Sequence, residues 1–184
     1  TQYRFLSFFA HADYSHADKY FLDFTIRNDA SSRFGKNKRN GTFWATGLMW
    51  KAYNEDFLKD NVSWINRLNL KASYGTQGNA NVGNYTHLGK ISKLSTAYNG
   101  GYGIVLSSPS NEDITWENQS LLTIGVDTRL FDKVDVNLSY YDRRTTDMLM
   151  SVPQPYTSGF TSVSANVGAM RNNGIDLSLN FDIL

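Results

Sequence analysis

Between Leu122 and Tyr140, apolar and polar side chains alternate along two arms that flank a short turn. Alternation with a period of two predicts a β-strand that has one apolar and one polar face. A three-residue turn at 131–133 keeps the apolar residues of both arms on the same face, whereas a two-residue turn would set apolar residues opposite polar ones. The apolar positions are Leu122, Ile124, Val126, Leu130, Val134, Val136, Leu138 and Tyr140. The stretch therefore predicts a β-hairpin.

The same alternation recurs along the rest of the chain. It runs from Leu6 to Tyr14, from Tyr20 to Arg27, from Thr42 to Ala52, from Leu68 to Tyr74 and from Asn173 onwards. Many of these stretches have the roughly nine to eleven residues with which a tilted strand crosses a bilayer. We predict an all-β fold, an antiparallel up-and-down meander of about seven long strands. Glu55–Lys59 suits a short helical turn and Thr86–Ile91 a small extra strand.

The connections between the predicted strands alternate in length. The shorter ones are Ser15–Lys19, Tyr53–Ile65 and Phe131–Lys133, and the longer ones are Asn28–Gly41, Gly75–Asp113 and Met150–Asn166. In a meander, alternate connections lie at the same end, so short turns collect at one rim and long loops at the other. Bacterial outer-membrane barrels are built in this way. About seven strands are too few to close even the smallest barrel, so we expect an open sheet that is part of a large transmembrane β-barrel, or that has its edges paired to other chains.

Composition narrows the class of protein. The chain has 184 residues, a mean hydropathy of -0.42 and no long apolar run, which excludes a transmembrane helix. A net charge of +1 gives no electrostatic reason to expect nucleic acid as a partner. Zero cysteines exclude disulfides and thiolate metal sites. The alternation already runs near Thr1 and continues to Leu184, so we expect a segment that is cut at both ends.

Nothing in the sequence indicates catalysis. His11, His16 and His87 are far apart and lie in no nucleophile, metal or phosphate motif. The glycine-rich stretch Gly100–Gly103 lacks the lysine and the helix of a phosphate loop, and suits a loop tip. We therefore predict that the chain is not an enzyme and uses no cofactor.

Four motifs resemble one known family. They are RNDASSRFGKNKRNGTFWATGLMW at Arg27–Trp50, LNLKASYGTQGN at Leu68–Asn79, NEDITWE at Asn111–Glu117 and PQPYTSGFTSVSANVGAMRNNGIDLSLN at Pro153–Asn180. In this order they are similar to motifs of SusC/RagA-type TonB-dependent transporters. Ala30, Asn40 and Trp44 depart from the family pattern, where Gly, an aromatic residue and Pro are common. The departures concern detail and leave the resemblance intact.

The resemblance implies that residues 1–184 are a partial barrel of an outer-membrane protein. Such transporters sit in the outer membrane of Bacteroidetes-type bacteria and import large nutrients, usually glycans and sometimes peptides. They work under a surface lipoprotein of the SusD type and take energy from TonB. The implied partners are outer-membrane lipid, the rest of the barrel and its plug, the SusD-like lipoprotein and TonB. The resemblance places the plug and the TonB-contacting segment outside this chain.

Two sets of residues are candidates for contact with ligands. Flat aromatic rings in or beside the long loops suit stacking on sugars, and these are Tyr98, Tyr102, Trp116 and Tyr156. Trp116 also suits an anchor at the membrane interface. The one basic run suits lipopolysaccharide phosphates, or else a solvated loop, and consists of Arg33, Lys36, Lys38 and Arg39.

Two alternatives to a SusC/RagA-type transporter stay open at this level. A soluble all-β module that binds glycans through surface aromatics would bury apolar rows such as Ile175–Ile183 within itself. A barrel segment would instead leave these rows facing lipid. A TonB-dependent receptor of another class, for siderophores or vitamins, is disfavoured by the motif set alone.

Overall fold

The computed structural model describes residues 2–98 and 101–182, and within them the side chains of all residues except 95–98. Gly100 and Ile183, which belong to the patterns above, lie outside the described residues. The strands are β1 (Phe5–His16), β2 (Tyr20–Ser31), β3 (Asn40–Lys51), β4 (Ile65–Asn79), β5 (Lys90–Tyr98), β6 (Gly101–Ser108), β7 (Glu117–Leu130), β8 (Val134–Pro153) and β9 (Ser162–Phe181). A helix, α1 (Asp56–Lys59), and two 3-10 turns, Ala52–Asn54 and Tyr156–Ser158, complete the elements. In these ranges no helix is long and apolar enough to span a membrane.

Seven strands form one sheet in the order β1-β2-β3-β4-β7-β8-β9. Each strand pairs with its neighbour in antiparallel fashion. β5 and β6 form a separate hairpin inserted between β4 and β7. β1 and β9 are the two edges, so the described sheet is open. This confirms the predicted meander of about seven strands that does not close by itself.

The two tightest connections share one conformation. Ala17 and Asp18, like Phe131 and Asp132, have positive φ angles between 53° and 56°. In each turn a backbone N–H donates to the carbonyl three residues earlier, from Lys19 and from Lys133, at 3.0 Å. Two positive φ values with this hydrogen bond define a type I′ turn, whose twist matches that of the flanking strands. The pairing of Leu130 with Val134 confirms the predicted three-residue turn.

The short connections lie together at one rim. The Lys51 N–H donates to the Lys19 carbonyl at 2.8 Å, which joins the first turn to the end of β3. The Phe131 N–H donates to the Trp64 carbonyl at 2.8 Å, which joins the β3–β4 connection to the β7–β8 turn. α1 lies in the β3–β4 connection, where the sequence predicts a short helical turn.

The long connections lie at the opposite rim. Arg33 Nε donates to Asn84 Oδ1 at 3.1 Å, which joins the β2–β3 connection to the β4–β7 connection. Asn111 Nδ2 donates to the Ser164 carbonyl at 2.8 Å, which brings in the start of β9. The segregation of short and long connections is therefore confirmed.

The strands are longer than the apolar alternation indicates. β4 continues to Asn79, β8 continues to Pro153 and β9 already begins at Ser162, so the predicted loop Met150–Asn166 shrinks to residues 154–161. Antiparallel pairing is made by backbone groups, and it continues past the point where alternation of side chains stops. The sequence therefore predicts the apolar part of each strand and misses its polar extension.

The predicted extra strand at Thr86–Ile91 is correct only for its last two residues, where β5 begins. Residues 84–87 form a turn in which the Thr86 hydroxyl donates to the Gly83 carbonyl at 2.7 Å. His87 is buried, and its Nδ1–H donates to the Arg33 carbonyl at 2.9 Å. These side-chain bonds favour the turn over an extended backbone. The strands of this region are β5 and β6 instead.

The carboxylate of Glu55 links several residues of the short-turn rim. Glu55 accepts hydrogen bonds from the Tyr20 hydroxyl at 2.6 Å, from Lys19 Nζ at 3.0 Å and from Trp50 Nε1 at 3.2 Å. The Tyr20 bond, followed by the Lys19 bond, holds the pKa of Glu55 below its ordinary value of 4.5. The bond to Glu55 in turn raises the pKa of Lys19.

We expect Glu55→Gln to lower the melting temperature of the full-length barrel in detergent at pH 7. A carboxylate whose folded pKa is depressed contributes stability above its ordinary pKa and loses it as the pH falls through the lowered value. The difference in melting temperature between the parent protein and Glu55→Gln should therefore shrink as the pH falls below 4.5. Asp60→Asn removes an exposed carboxylate from the same connection and serves as the control. A difference that stays constant with pH would contradict this role of Glu55.

Candidate functional site

One face of the sheet is an apolar band. Val126 of β7, Leu138 of β8 and Leu177 of β9 are cross-strand partners, and further pairs continue the band on both sides. Ile175 is 72% exposed and Leu177 is 60% exposed, so nothing in the described residues covers them. On β2 the band consists of Tyr20, Leu22, Phe24 and Ile26, and on β9 of Ile175, Leu177, Leu179 and Phe181. An apolar face with no covering layer suits lipid and does not suit water.

Aromatic rings line the edge of the band that lies at the short-turn rim. Tyr20 and Trp50 stack with ring centroids 6.4 Å apart, and Trp64 and Phe131 stack at 6.0 Å. The upper edge lies where polar residues take over the outward positions, as Asp142 does on β8. Measured along β9, the band from Ile175 to Phe181 is about 20 Å long at roughly 3.3 Å per residue. Aromatic girdles around an apolar band of about 25 Å are typical of outer-membrane barrels.

The opposite face carries charges that neutralise one another. Asp135 of β8 accepts hydrogen bonds from Arg67 of β4 at 2.6 Å and from Arg129 of β7 at 2.9 Å. Asp127 of β7 pairs with Lys71 and accepts a hydrogen bond from Asn137. These bridges cross the strands on the side away from lipid, so this face is the inner wall.

A small core closes the long-loop rim on the inner side. The indole ring of Trp116 is 3% exposed and lies 5.1 Å from the Phe34 ring and 5.6 Å from the Phe43 ring, measured between centroids. Its Nε1–H donates to the Arg39 carbonyl at 3.0 Å. Val82 and Ile114 complete the cluster. The loops therefore have a hydrophobic anchor of their own.

A polar cleft of about 720 Å³ lies beside this loop core on the inner face. Its wall includes Arg27 and Asp29 on β2, Gln77 and Asn79 on β4, and the ring of Phe5. Arg27 Nε donates to the buried carboxylate of Asp29 at 2.6 Å. Amide groups, a held ion pair and an aromatic ring can bind a polar ligand or a polar protein segment through hydrogen bonds.

The family model described as TonB dependent receptor-like, beta-barrel, matches residues 1–184. The chain therefore belongs to the TonB-dependent receptor β-barrel family.

Individual relatives agree with this family. The TonB-dependent receptor SusC of Bacteroides thetaiotaomicron is 32% identical over 188 residues, and receptor P3 of Formosa agariphila is 34% identical over 178 residues. These alignments cover 98% and 95% of the chain but 19% and 18% of the two relatives. The structure of the RagAB peptide importer in its closed-closed state matches with 39% identity and a TM-score of 0.89, over 99% of the chain and 20% of the neighbour. The chain thus spans about a fifth of the length of the proteins it matches.

Family membership indicates what each of the two faces of the sheet contacts. The chain is a wall segment of a SusC-like TonB-dependent receptor barrel in the outer membrane, and the SusC/RagA-type resemblance is confirmed. Relatives in this family are transporters and receptors, not enzymes. The soluble glycan-binding module is excluded because, in the described residues, the apolar rows are exposed instead of packing on a second sheet. In residues 2–98 and 101–182, no group of three or more His, Cys, Asp and Glu residues is arranged to hold a metal.

Two candidate residues of the TonB-dependent receptor segment turn out to be structural. Trp116 is enclosed by Phe34, Phe43 and Phe5, so its ring has no free surface on which a sugar could stack. Arg33 binds Asn84 and the Ala80 carbonyl and lies 4.2 Å from the centroid of the Tyr3 ring. Its guanidinium group turns inward and holds two loops together. Sequence reasoning placed both residues at the correct rim and missed the burial of Trp116 and the loop contacts of Arg33.

The other candidates are scattered over the long-loop rim. Tyr102 on β6 is 65% exposed and Tyr156, in the 3-10 turn before β9, is 91% exposed. Tyr98 lies on β5, and its side chain is outside the described residues. Lys36, Lys38 and Arg39 lie in or beside the β2–β3 connection and are exposed. Ligand contact by these residues stays a prediction.

The inner cleft is the feature that sequence reasoning missed. Its polar residues occupy the inward positions of their strands, and this alternation was the only available signal. Arg27 on β2 and Gln77 on β4 are 50 residues apart in sequence, and no local pattern links them.

We expect Val136→Arg to impair membrane assembly of the full-length protein. Val136 is an outward residue of β8 whose partners are Thr128 and Leu179. An arginine on the lipid face costs about 2–4 kcal/mol near the bilayer midplane. The measurement is the fraction of folded barrel in isolated outer membranes.

Asn137→Ala is the matched control, because Asn137 is the next residue on β8 and faces the inner wall. We expect its effect on assembly to be mild. Equal assembly of the Val136→Arg and parent proteins would contradict the assignment of the lipid face.

We expect Gly78→Ala to destabilise the loop core. A Cβ atom at Gly78 would collide with the Phe43 ring, which packs on Trp116. Overpacking of this kind costs about 1–3 kcal/mol. Gly125→Ala is the control, since its Cβ would lie 3.4 Å from the Leu138 carbonyl oxygen, a tolerable contact. Unfolding in urea gives the free energy of unfolding of each variant. An equal loss of this free energy in both variants would contradict the special role of Gly78.

Proposed function

We propose that the protein containing this chain imports large nutrients, with glycans as the cargo class, across the outer membrane. In this proposal it acts with a SusD-like surface lipoprotein and takes energy from TonB. Membership of a SusC-like transporter family supports the proposal. This chain contributes barrel wall and outer loops.

The observation that carries the proposal is the combination of exposed rings and inward polar groups at the long-loop rim. Tyr102 and Tyr156 are largely exposed there, and the cleft presents the amides of Gln77 and Asn79 and the Arg27–Asp29 pair. Sugars are bound by aromatic rings that stack on their flat apolar faces and by polar side chains that bond their hydroxyl groups. We propose Tyr102 and Tyr156 as cargo contacts, together with Tyr98.

Peptides are a second candidate cargo. The observation in their favour is the 39% identity to the RagAB peptide importer over 99% of this chain. Peptides have amide groups and side chains that the same polar cleft can bond.

We also propose that Lys36, Lys38 and Arg39 contact lipopolysaccharide phosphates from the outer loop.

Deletion of the parent gene should abolish growth on one polymeric glycan and leave growth on its monomer intact. Complementation with the parent gene should restore growth. Complementation with a Tyr102→Ala, Tyr156→Ala double variant should restore it poorly, with cargo affinity reduced about tenfold, because each ring contributes roughly 0.5–1.5 kcal/mol. Binding of the labelled oligosaccharide to whole cells provides the affinity.

Phe131→Ala is the control, because it removes an exposed ring at the opposite rim. We expect it to complement fully. A growth defect that occurs only with oligopeptides as the nutrient would assign peptides, and not glycans, as the cargo. No defect on any polymeric nutrient would refute the import proposal.

A further inference from the structure

Two arginines lie side by side on the outward face just above the apolar band. Arg144 of β8 and Arg171 of β9 are direct cross-strand partners. On β8, Arg144 follows Tyr140 and Asp142 in the row of outward side chains. On β9, the corresponding row passes from Ile175 through Asn173 to Arg171. β8 continues from here to the long-loop rim, and β9 begins at that rim. Since long loops of such barrels are extracellular, the arginine pair lies at the level of the outer-leaflet headgroups.

The pair carries more positive charge than its neighbour neutralises. Arg171 makes a two-pronged contact with Asp142, with both N···O distances at 2.8 Å, and the Arg171 side chain is still 64% exposed. Arg144 stands opposite Arg171 and is exposed. Like charges placed directly opposite one another on a sheet repel. Two guanidinium groups and one carboxylate leave a net positive charge that an anion between them would neutralise.

We propose that Arg144 and Arg171 bind a phosphate group of lipopolysaccharide in the outer leaflet. The guanidinium fork matches phosphate oxygens in a two-pronged geometry. The site continues directly from the lipid-facing band, so a lipid whose phosphate sits on the arginines can lay its acyl chains along Tyr140 and Ile175. This continuity favours a lipid over a free ion. The inference requires the outer-membrane location and is independent of the cargo.

This site is separate from the basic run of the β2–β3 connection. That connection sends Phe34 into the inner loop core and turns Arg33 toward Asn84. Arg144 and Arg171 instead extend from the lipid side of regular strands, where the ladder fixes their direction.

The test measures, by native mass spectrometry, the binding of purified phosphate-bearing lipid A to the full-length protein in detergent. We expect Arg144→Gln to bind about fivefold more weakly, since one basic side chain near an anionic lipid surface contributes about 1 kcal/mol. Arg144→Lys keeps the charge and should retain most of the binding. Resistance of the barrel to unfolding in dodecyl sulfate at room temperature confirms that each variant is folded.

Arg143→Gln is the matched control. Arg143 is the preceding residue on β8, it pairs with Leu121 and Asn172, and alternation places it on the inner wall. We expect its affinity for lipid A to equal that of the parent protein. Equal weakening by Arg143→Gln would overturn the proposal, as would equally tight binding of dephosphorylated lipid A. Displacement of lipid A by an equal concentration of inorganic phosphate would assign the site to a free ion and overturn the lipid assignment.

Discussion

Within a bilayer, each backbone N–H and C=O group must find its partner inside the protein, because lipid offers none. The antiparallel ladder meets this demand, and it holds a constant register across the band. The register shifts lie elsewhere, between Ile65 and Arg67 at the short-turn rim and between Thr145 and Leu149 above the headgroup level. A slip of one residue within the band would turn polar side chains toward lipid. The two faces of the wall depend on this unbroken register.

The inner wall follows from the same alternation, because each residue that does not face lipid faces the lumen. Its charges are shared across strands, as Arg67, Arg129 and Asp135 from three strands show. Such bridges lower the cost of placing charges on a wall with a lipid-facing reverse side. They also leave polar groups available for whatever fills the lumen.

Among the described residues, the cluster of buried apolar side chains lies at the long-loop rim. A barrel wall is one layer thick, so its own side chains have lipid on one side and the lumen on the other. Where loops fold back, around Trp116 and Phe34, apolar side chains are enclosed by the chain itself. This core joins the β2–β3 and β4–β7 connections and leaves Tyr102 and Tyr156 exposed.

The period-two pattern by itself determined the seven-stranded meander, the apolar rows and the segregation of short and long connections, because each depends on local alternation and chain order. The family motifs determined the class of protein. Only the tertiary structure decided that Trp116 and Arg33 are structural, that β8 and β9 continue to Pro153 and from Ser162, and that Arg144 meets Arg171. These features arise from contacts between residues far apart in sequence, and from backbone pairing that does not depend on the side-chain pattern.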